Sequence, residues 1–85
     1  MANKKTMEFK SQAGNSYTFQ KVSPSEWMRI LDNAERTGTI RRSDMFPDVL
    51  EHVVVQPSKT VDDFEEYAEL DEVVKAAIRF QQGKF

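Results

Sequence analysis

The chain lacks several residue types and patterns that particular functions require. Its 85 residues include no cysteine, which excludes disulfide bonds and thiolate catalysis and fits a reducing compartment. No stretch approaches the 18 apolar residues of a membrane-spanning helix. The first ten residues, MANKKTMEFK, hold no apolar signal-peptide segment. We therefore expect a cytosolic protein that does not enter a membrane.

Residues that carry chemistry are also scarce. The three glycines are isolated at positions 14, 38 and 83, so there is no glycine-rich phosphate loop. His52 is the only histidine and has only scattered carboxylates around it, so we expect a structural or half-exposed role rather than metal binding. No serine lies in a nucleophile-elbow context, and Asp62-Asp63 lacks the spacing of a calcium loop. We expect no catalytic residue, no metal and no cofactor, hence no enzyme.

The charge is unevenly distributed along the chain. The net charge is −2, but residues 1–60 hold nine basic against seven acidic residues, and residues 61–85 hold three against seven. An acidic protein is a poor candidate for nucleic-acid binding, which needs a basic surface to release counterions. With 39% hydrophobic residues, the chain has enough apolar material for a single folded domain over residues 1–85.

The N-terminal part has the pattern of a β-hairpin. Residues 7–10 alternate apolar and charged side chains, and Tyr17 and Phe19 alternate with polar neighbours, as half-buried strands do. The cluster SQAGN between them is typical of a turn. We predict flexible residues 1–6, a hairpin over 7–21 and a helical part over 23–83. The fold class is therefore α+β, mainly α, with an N-terminal β-hairpin packed on three to four helices.

Two helices are predicted in the middle of the chain. Ser23 as N-cap, Pro24 and Glu26 form a capping-box signal for a helix that runs to about Arg36 and ends at Gly38. Trp27 in this helix could be an exposed anchor for a partner, but its spacing favours a place in the core. The second helix is capped by Ser43 or Asp44, has Pro47 in its first turn, and unwinds at residues 53–55 into an extended exit. Its predicted apolar face consists of Phe46, Val49, Leu50 and Val53.

The C-terminal stretch, residues 61–82, is the longest run without glycine or proline. From Leu70 onward its apolar residues have helical spacing, and Asp71 and Lys75 can pair one turn apart. The preceding residues are out of phase, because one straight helix would bury Asp63 and Glu66. We therefore predict a short helical turn over 62–69, capped by Thr60 or Asp62. A kink or restart near Leu70–Asp71 would follow, with Asp71 as the second cap.

An acidic ridge beside aromatic side chains dominates this stretch and suggests a surface for a partner helix. A solubilising face with no partner explains the same charges, and both interpretations stay open. The predicted partner-binding residues combine aromatic, acidic and apolar side chains from both parts of the stretch: Phe64, Glu65, Glu66, Tyr67, Glu69, Leu70, Val74 and Phe80.

Residues from about 20 to 83 resemble tail assembly chaperones of long-tailed phages and prophages of Gram-positive bacteria. The likeness is strongest in the C-terminal half, whereas the N-terminal hairpin has no counterpart in the resemblance. None of the shared positions is a catalytic signature. The residues that carry it are Val53-Val54-Val55 followed by Pro57, then Asp62-Asp63-Phe64, Glu69-Leu70, Val73-Val74, Ala76-Ala77 and Phe80-Gln81.

The resemblance implies a function. Such chaperones bind the long, helical, aggregation-prone tape measure protein and keep it soluble while tail tube subunits assemble around it. It implies the tape measure protein as partner, the cytoplasm of the bacterial host as location, and absence from the mature virion. Family members are often made in a second, frameshift-extended form that recruits tube subunits, which makes the tail tube protein a further candidate partner.

Two other functions and one assembly state are kept as alternatives. One is a small phage DNA-binding regulator, with helices 24–36 and 45–53 as a helix-turn-helix and Arg41-Arg42 on phosphates. Its linker is long for that motif and the net charge has the wrong sign. The other is a structural head–tail component of the virion. Phe80 and Phe85, if exposed, suggest a homo-oligomer.

Overall fold

A computed structural model describes residues 6–83 of the chain. Three α-helices make up about half of these residues and pack against a three-stranded antiparallel sheet of order β1-β2-β5. A second, two-stranded sheet joins β3 and β4. In chain order the elements are β1 Thr6–Lys10, β2 Ser16–Gln20, α1 Pro24–Ala34, β3 Glu35–Arg36, β4 Thr39–Ile40, α2 Arg42–His52, β5 Val54–Gln56, a 3-10 turn Val61–Asp63, and α3 Tyr67–Gln81.

The predicted N-terminal hairpin is confirmed. Strands β1 and β2 pair antiparallel with Phe9 opposite Tyr17. In the five-residue loop the Gly14 N–H donates to the Ser11 carbonyl at 2.9 Å, and Gly14 has φ 93°, a conformation that favours glycine. The prediction of flexible residues 1–6 falls mostly outside the described residues, but Thr6 belongs to β1, which corrects it at that position.

A third strand completes the sheet and was not predicted as a strand. The extended exit after α2 is β5, which pairs with β2. The Gln20 N–H donates to the Val53 carbonyl at 2.7 Å. The β-branched residues of β5 favour the extended backbone, but no local pattern specifies which strand β5 joins.

Helix α1 begins as predicted and ends early. The Ser23 hydroxyl accepts a hydrogen bond from the Glu26 N–H at 3.2 Å. The helix stops at Ala34, not at Arg36, because the chain then forms the β3–β4 hairpin. Thr37 and Gly38 have φ values of 49° and 82°, the pair of positive values that a type I′ hairpin turn requires. The Trp27 side chain is buried, so its core role is confirmed.

Two predicted details of α2 are wrong. The helix begins at Arg42 after Arg41, whose side chain makes no cap. Ser43 and Asp44 therefore lie inside the first turn and are not N-caps. Pro47 lies beyond the first turn, inside the helix. Because proline has no N–H, the carbonyl that loses its helical partner belongs to Ser43, an exposed residue.

The predicted kink near Leu70–Asp71 is also wrong. The chain forms a 3-10 turn over Val61–Asp63, is extended at residues 64–66, and then enters α3, which is continuous from Tyr67 to Gln81. The phase conflict is resolved because residues 63 and 66 lie outside α3. Thr60 precedes the 3-10 turn and its N–H donates to the Asp63 carboxylate at 2.9 Å. Asp71 is not a cap; it pairs with Lys75 at 3.1 Å, as predicted.

One hydrophobic core lies between the inner face of the sheet and the three helices. No helix within residues 6–83 has both the length and the apolar character needed to cross a membrane. The largest fully buried side chains come from β2, α1, α2, α3 and the segment joining α2 to β5: Tyr17, Phe19, Ile30, Val49, Val53, Val73 and Val74.

Candidate functional site

The acidic residues before and within the first turn of α3 meet the loop of the β1–β2 hairpin. We call residues 62–69 the acidic aromatic surface. The hairpin loop and the 3-10 turn flank it, and together they enclose an open cavity of about 300 Å³. Half of its lining residues are carboxylates, and one is aromatic: Ala13, Asn15, Lys59, Asp63, Phe64, Glu65, Glu66 and Glu69.

Glu69 anchors this surface to the hairpin. Its carboxylate accepts hydrogen bonds from the Tyr17 hydroxyl at 2.6 Å and from the Asn15 amide at 3.2 Å. One turn later, the Glu72 carboxylate accepts from the backbone N–H of Gln12 at 3.1 Å. Hydrogen bonds to ionised carboxylates are among the stronger ones in proteins. These two glutamates therefore have a structural role in holding α3 on the hairpin loop.

The pKa values around Glu69 follow from this geometry. Burial raises the pKa of the Glu69 carboxyl, but hydrogen bonds from Tyr17, Ser11 and Asn15 and the charge of Lys59 outweigh it, so the pKa is lowered overall. The pKa of Tyr17 is raised, first by burial of the hydroxyl and then by its hydrogen bond to the Glu69 carboxylate. At neutral pH the pair is thus a neutral phenol donating to an anion.

Aromatic rings form a layer beneath the carboxylates. Phe64 is half-buried and stacks on Tyr17, with ring centroids 6.2 Å apart and planes 12° apart. The Lys59 ammonium lies 4.6 Å from the Phe64 centroid and 5.9 Å from the Tyr17 centroid, within the range of a cation–π contact. The aromatic layer therefore already contacts one cation of the chain itself.

The outer part of the surface is open to solvent. The Tyr67 side chain is 60% exposed, and Glu65 and Glu66 beside it are exposed as well. Asp63 is exposed but bonded within its own turn. The Thr60 N–H and then the Thr60 hydroxyl lower the pKa of Asp63, with a further contribution from the charge of Lys59. The side chains available to a partner are therefore mainly those of residues 65–67.

Three of the predicted partner-binding residues belong to the core. Leu70, Val74 and Phe80 are buried, and the Phe80 ring lies 6.2 Å from the Phe19 ring. Their assignment to a binding surface is corrected, because the apolar stripe that predicts α3 faces the sheet and α2 rather than a partner. Self-association through an exposed Phe80 is corrected for the same reason, and Phe85 lies outside the described residues.

The other five predicted residues lie together at this surface: Phe64, Glu65, Glu66, Tyr67 and Glu69. The structure adds Asn15, Tyr17 and Lys59, which sequence reasoning missed. Alternation placed Tyr17 on one side of a strand, but nothing in the pattern indicated that its hydroxyl would meet a carboxylate 52 residues away.

A second group of polar side chains lies on α2. Asp48, Glu51 and His52 each place a possible metal ligand atom within 4.8 Å of the others. They come from one surface of one helix, and none is fully buried. Such an arrangement supplies ligands from one side only, and exposed acidic groups often cluster this way without an ion. His52 is half-exposed, and its Nε2 lies 4.0 Å from the Glu51 carboxylate.

An open groove lies between α2, β5 and the segment after β5. It has a volume of about 350 Å³ and is partly apolar. Its lining includes Leu50, Val54 and Val61, which also pack at the core. Its polar lining residues are Glu51, Ser58, Lys59 and Thr60.

Comparison with known proteins gives no further guidance on this surface. No protein-family model, no curated protein and no solved structure matches the chain.

Proposed function

We propose that this protein is a non-enzymatic phage tail assembly chaperone that binds the tape measure protein through the acidic aromatic surface. It keeps that protein soluble in the cytoplasm of the bacterial host while tail tube subunits assemble around it, and it does not enter the virion. The supporting observation is the exposed Tyr67 beside Glu65 and Glu66, whose carboxylates have no bonding partner within residues 6–83, on a backbone fixed by Glu69.

The chemistry of this surface suits a helical partner with an apolar stripe bordered by lysine or arginine. Tyrosine is amphipathic and covers apolar area while its hydroxyl stays hydrated. The carboxylates of Glu65 and Glu66 pair with the partner's cations and keep the complex soluble. A tape measure protein with long exposed helices presents such a stripe many times.

The expected affinity for one contact is low. An exposed ion pair contributes about 0–1 kcal/mol, and a single tyrosine adds only a small apolar area. When weak contacts are repeated along a long helix, the binding is stronger in total but still reversible. Reversibility is required here, because tube subunits must displace the chaperone from the tape measure protein.

The residues proposed to bind differ from those that hold α3 on the hairpin, which makes the test sharper. Glu69 must be retained because it holds Tyr17 and Asn15. Glu65, Glu66 and Tyr67 have no hydrogen-bonding side-chain partner among residues 6–83 and are exposed. The variant Glu65→Gln/Glu66→Gln/Tyr67→Ala therefore removes the proposed contacts without touching the anchor.

The experiment is co-expression of the chaperone with a segment of the tape measure protein, followed by measurement of the soluble fraction of that segment. We expect the triple variant to fold like the parent, by circular dichroism and thermal unfolding, and to leave most of the segment insoluble. The matched control is Met28→Ala/Asp32→Asn/Glu35→Gln, at two exposed positions of α1 and at Glu35, the residue that follows it. It removes an equally exposed apolar residue, since Met28 is 62% exposed, and two exposed carboxylates.

Equal solubilisation of the segment by the parent and the triple variant would contradict the proposal. So would a control variant that loses as much of the soluble segment as the triple variant does. The two alternatives have their own readouts. A regulator shifts random duplex DNA at low salt, although α1 and α2 are joined by residues 35–41 with a hairpin between them, not by the 3–4-residue turn of a helix-turn-helix. A head–tail component is found in purified virions.

A further inference from the structure

Strand β1 forms an open edge of the main sheet. The strand order is β1-β2-β5, and within residues 6–83 the only pairing partner of β1 is β2. The strand has five residues, contains no proline and no glycine, and shows no irregularity in its register with β2. An edge of this kind presents unpaired N–H and C=O groups to any strand that approaches it.

The register shows which backbone groups are unpaired. The Ser11 N–H donates to the Asn15 carbonyl at 2.9 Å, and hydrogen-bonded positions alternate along an antiparallel pair. Phe9 and Met7 therefore bond to β2, whereas the N–H and C=O groups of Glu8 and Lys10 point away from it. The bond from Gln20 to Val53 on the opposite side of β2 agrees with this alternation, because it places even-numbered residues of β2 toward β5.

The side chains of β1 are also incompletely partnered. Glu8 and Lys10 are exposed and lie opposite the neutral Thr18 and Ser16 in the hairpin. Neither charge has an ion-pair partner in the part of the chain that the structure describes. On the inner face Phe9 is only half-buried although it stacks on Phe19 at 5.4 Å. The edge thus combines free backbone groups, unpaired opposite charges and an incompletely covered ring.

We infer that β1 pairs antiparallel with β1 of a second copy of this chain, with Phe9 on the twofold axis, so that the two sheets form one six-stranded sheet. In this register Glu8 of each copy lies opposite Lys10 of the other, at the positions whose backbone groups are free. The two Phe9 side chains then form a close, non-hydrogen-bonded pair on the inner face.

Charge selects this register over its neighbours. A twofold axis at Glu8 places the two Glu8 carboxylates opposite each other, and an axis at Lys10 does the same with two ammonium groups. Like charges directly opposite are unfavourable. An axis at Met7 pairs Glu8 with Thr6 and forms no ion pair between these residues. Only the axis at Phe9 gives two symmetry-related pairs of opposite charge within β1, which is the reason for choosing a second copy as the occupant. The inference does not depend on the proposed chaperone function.

The test is sedimentation of the full chain over a range of concentrations at low salt. The parent is expected to show a monomer–dimer equilibrium. Glu8→Lys and Lys10→Glu each convert both attractive pairs into repulsive ones, so each variant alone should dimerise about tenfold more weakly. The double variant Glu8→Lys/Lys10→Glu restores opposite charges and should dimerise like the parent.

A mixture of the two single variants gives the most specific readout. One chain then carries lysine at both positions and the other carries glutamate at both, so the mixture should form a heterodimer although each variant alone is largely monomeric. Glu51→Lys, at an exposed position of α2, is the control for the change in net charge and should leave dimerisation unchanged. A parent that stays monomeric at every concentration, or single variants that dimerise like the parent, would overturn the inference.

Discussion

The two ends of α3 are held to the N-terminal part of the chain by different chemistry. At the start of the helix, carboxylates accept the hydrogen bonds: Glu69 from Tyr17 and Asn15, and Glu72 from Gln12. At its end the Gln81 amide exchanges two hydrogen bonds with the backbone of Val22, at 2.8 and 2.9 Å. The first attachment is charged, whereas the second is neutral.

This difference indicates how each end is used. The neutral attachment lies next to Phe80, which is buried against Phe19. The C-terminal end of α3 therefore has a structural role in the core. The charged attachment lies next to exposed Tyr67 and the exposed carboxylates of Glu65 and Glu66. Glu69 orders the backbone that presents these side chains, and it adds to the negative potential of the surface. Under the proposed function, stability and binding can therefore be altered separately at the start of α3 but not at its end.

The largest expected effect comes from breaking the C-terminal end. Phe80→Ala removes a buried ring from the core and should lower the free energy of unfolding by about 3–5 kcal/mol. Tyr67→Ala, the matched aromatic at the other end, should change it by less than about 0.5 kcal/mol because the side chain is 60% exposed. Chemical denaturation of both variants checks this, and equal costs would contradict the assignment of Phe80 to the core.

Breaking the charged attachment should have the next largest effect. Glu69→Gln replaces the ionised acceptor of the Tyr17 hydroxyl by a neutral amide, and we expect a loss of about 1–2 kcal/mol, since bonds to charged groups are the stronger ones and this one is only partly buried. Glu66→Gln is the control, an exposed neighbour to which no described residue donates such a bond. Denaturation midpoints at pH 7 measure both, and a loss no larger than that of the control would show that the bond is not structural.

The charged attachment should also make stability depend on pH. The pKa of Glu69 is lower in the folded chain, so its contribution is present above the unfolded value of about 4.3 and is lost as the pH falls through the folded pKa. The pKa of Tyr17 is raised, so its contribution is present below about pH 10 and is lost as the pH rises from there. The difference in unfolding free energy between the parent and Glu69→Gln should therefore shrink below about pH 4.

Breaking the neutral attachment should cost less and should not vary with pH. Gln81→Leu leaves the N–H and C=O groups of half-buried Val22 to water, which we expect to cost about 1 kcal/mol. The difference between this variant and the parent should be the same at pH 4 and at pH 7, because neither partner titrates. A pH-dependent difference for Gln81→Leu would remove the distinction between the two ends.

Local signals in the sequence predicted the parts of the fold that neighbouring residues determine. The turn at Gly14, the cap at Ser23 and the apolar spacing after Leu70 each depend on residues within a few positions, and all three are confirmed. The end of α1 was misplaced because the turn at Thr37 and Gly38 was interpreted as a helix stop and not as a hairpin. The missing element was pairing between strands, which periodicity does not encode.

The candidate site was predicted in composition but not in geometry. Residues 64–67 carry the acidic and aromatic character in sequence, and the structure leaves them at or near the surface. The bond from Tyr17 to Glu69 could not be predicted, since it joins residues 52 positions apart. The error over Leu70 and its helical neighbours has another cause. An apolar stripe has the same spacing whether it faces the core or a partner, and only the packed structure distinguishes the two.

The smallest expected effect concerns the ion pair between Asp71 and Lys75, which runs from the charged attachment toward the middle of α3. The Lys75 Nζ lies 3.1 Å from the Asp71 Oδ2, but the Lys75 side chain is 67% exposed. Lys75→Met should therefore lower the free energy of unfolding by only about 0.3–0.5 kcal/mol, and less at high salt, because solvent and counterions screen an exposed pair. Denaturation at low and high salt measures this. A loss as large as that of Glu69→Gln would mean that the middle of α3 also depends on charge. A charged attachment would then no longer distinguish the start of α3 from the rest of the helix.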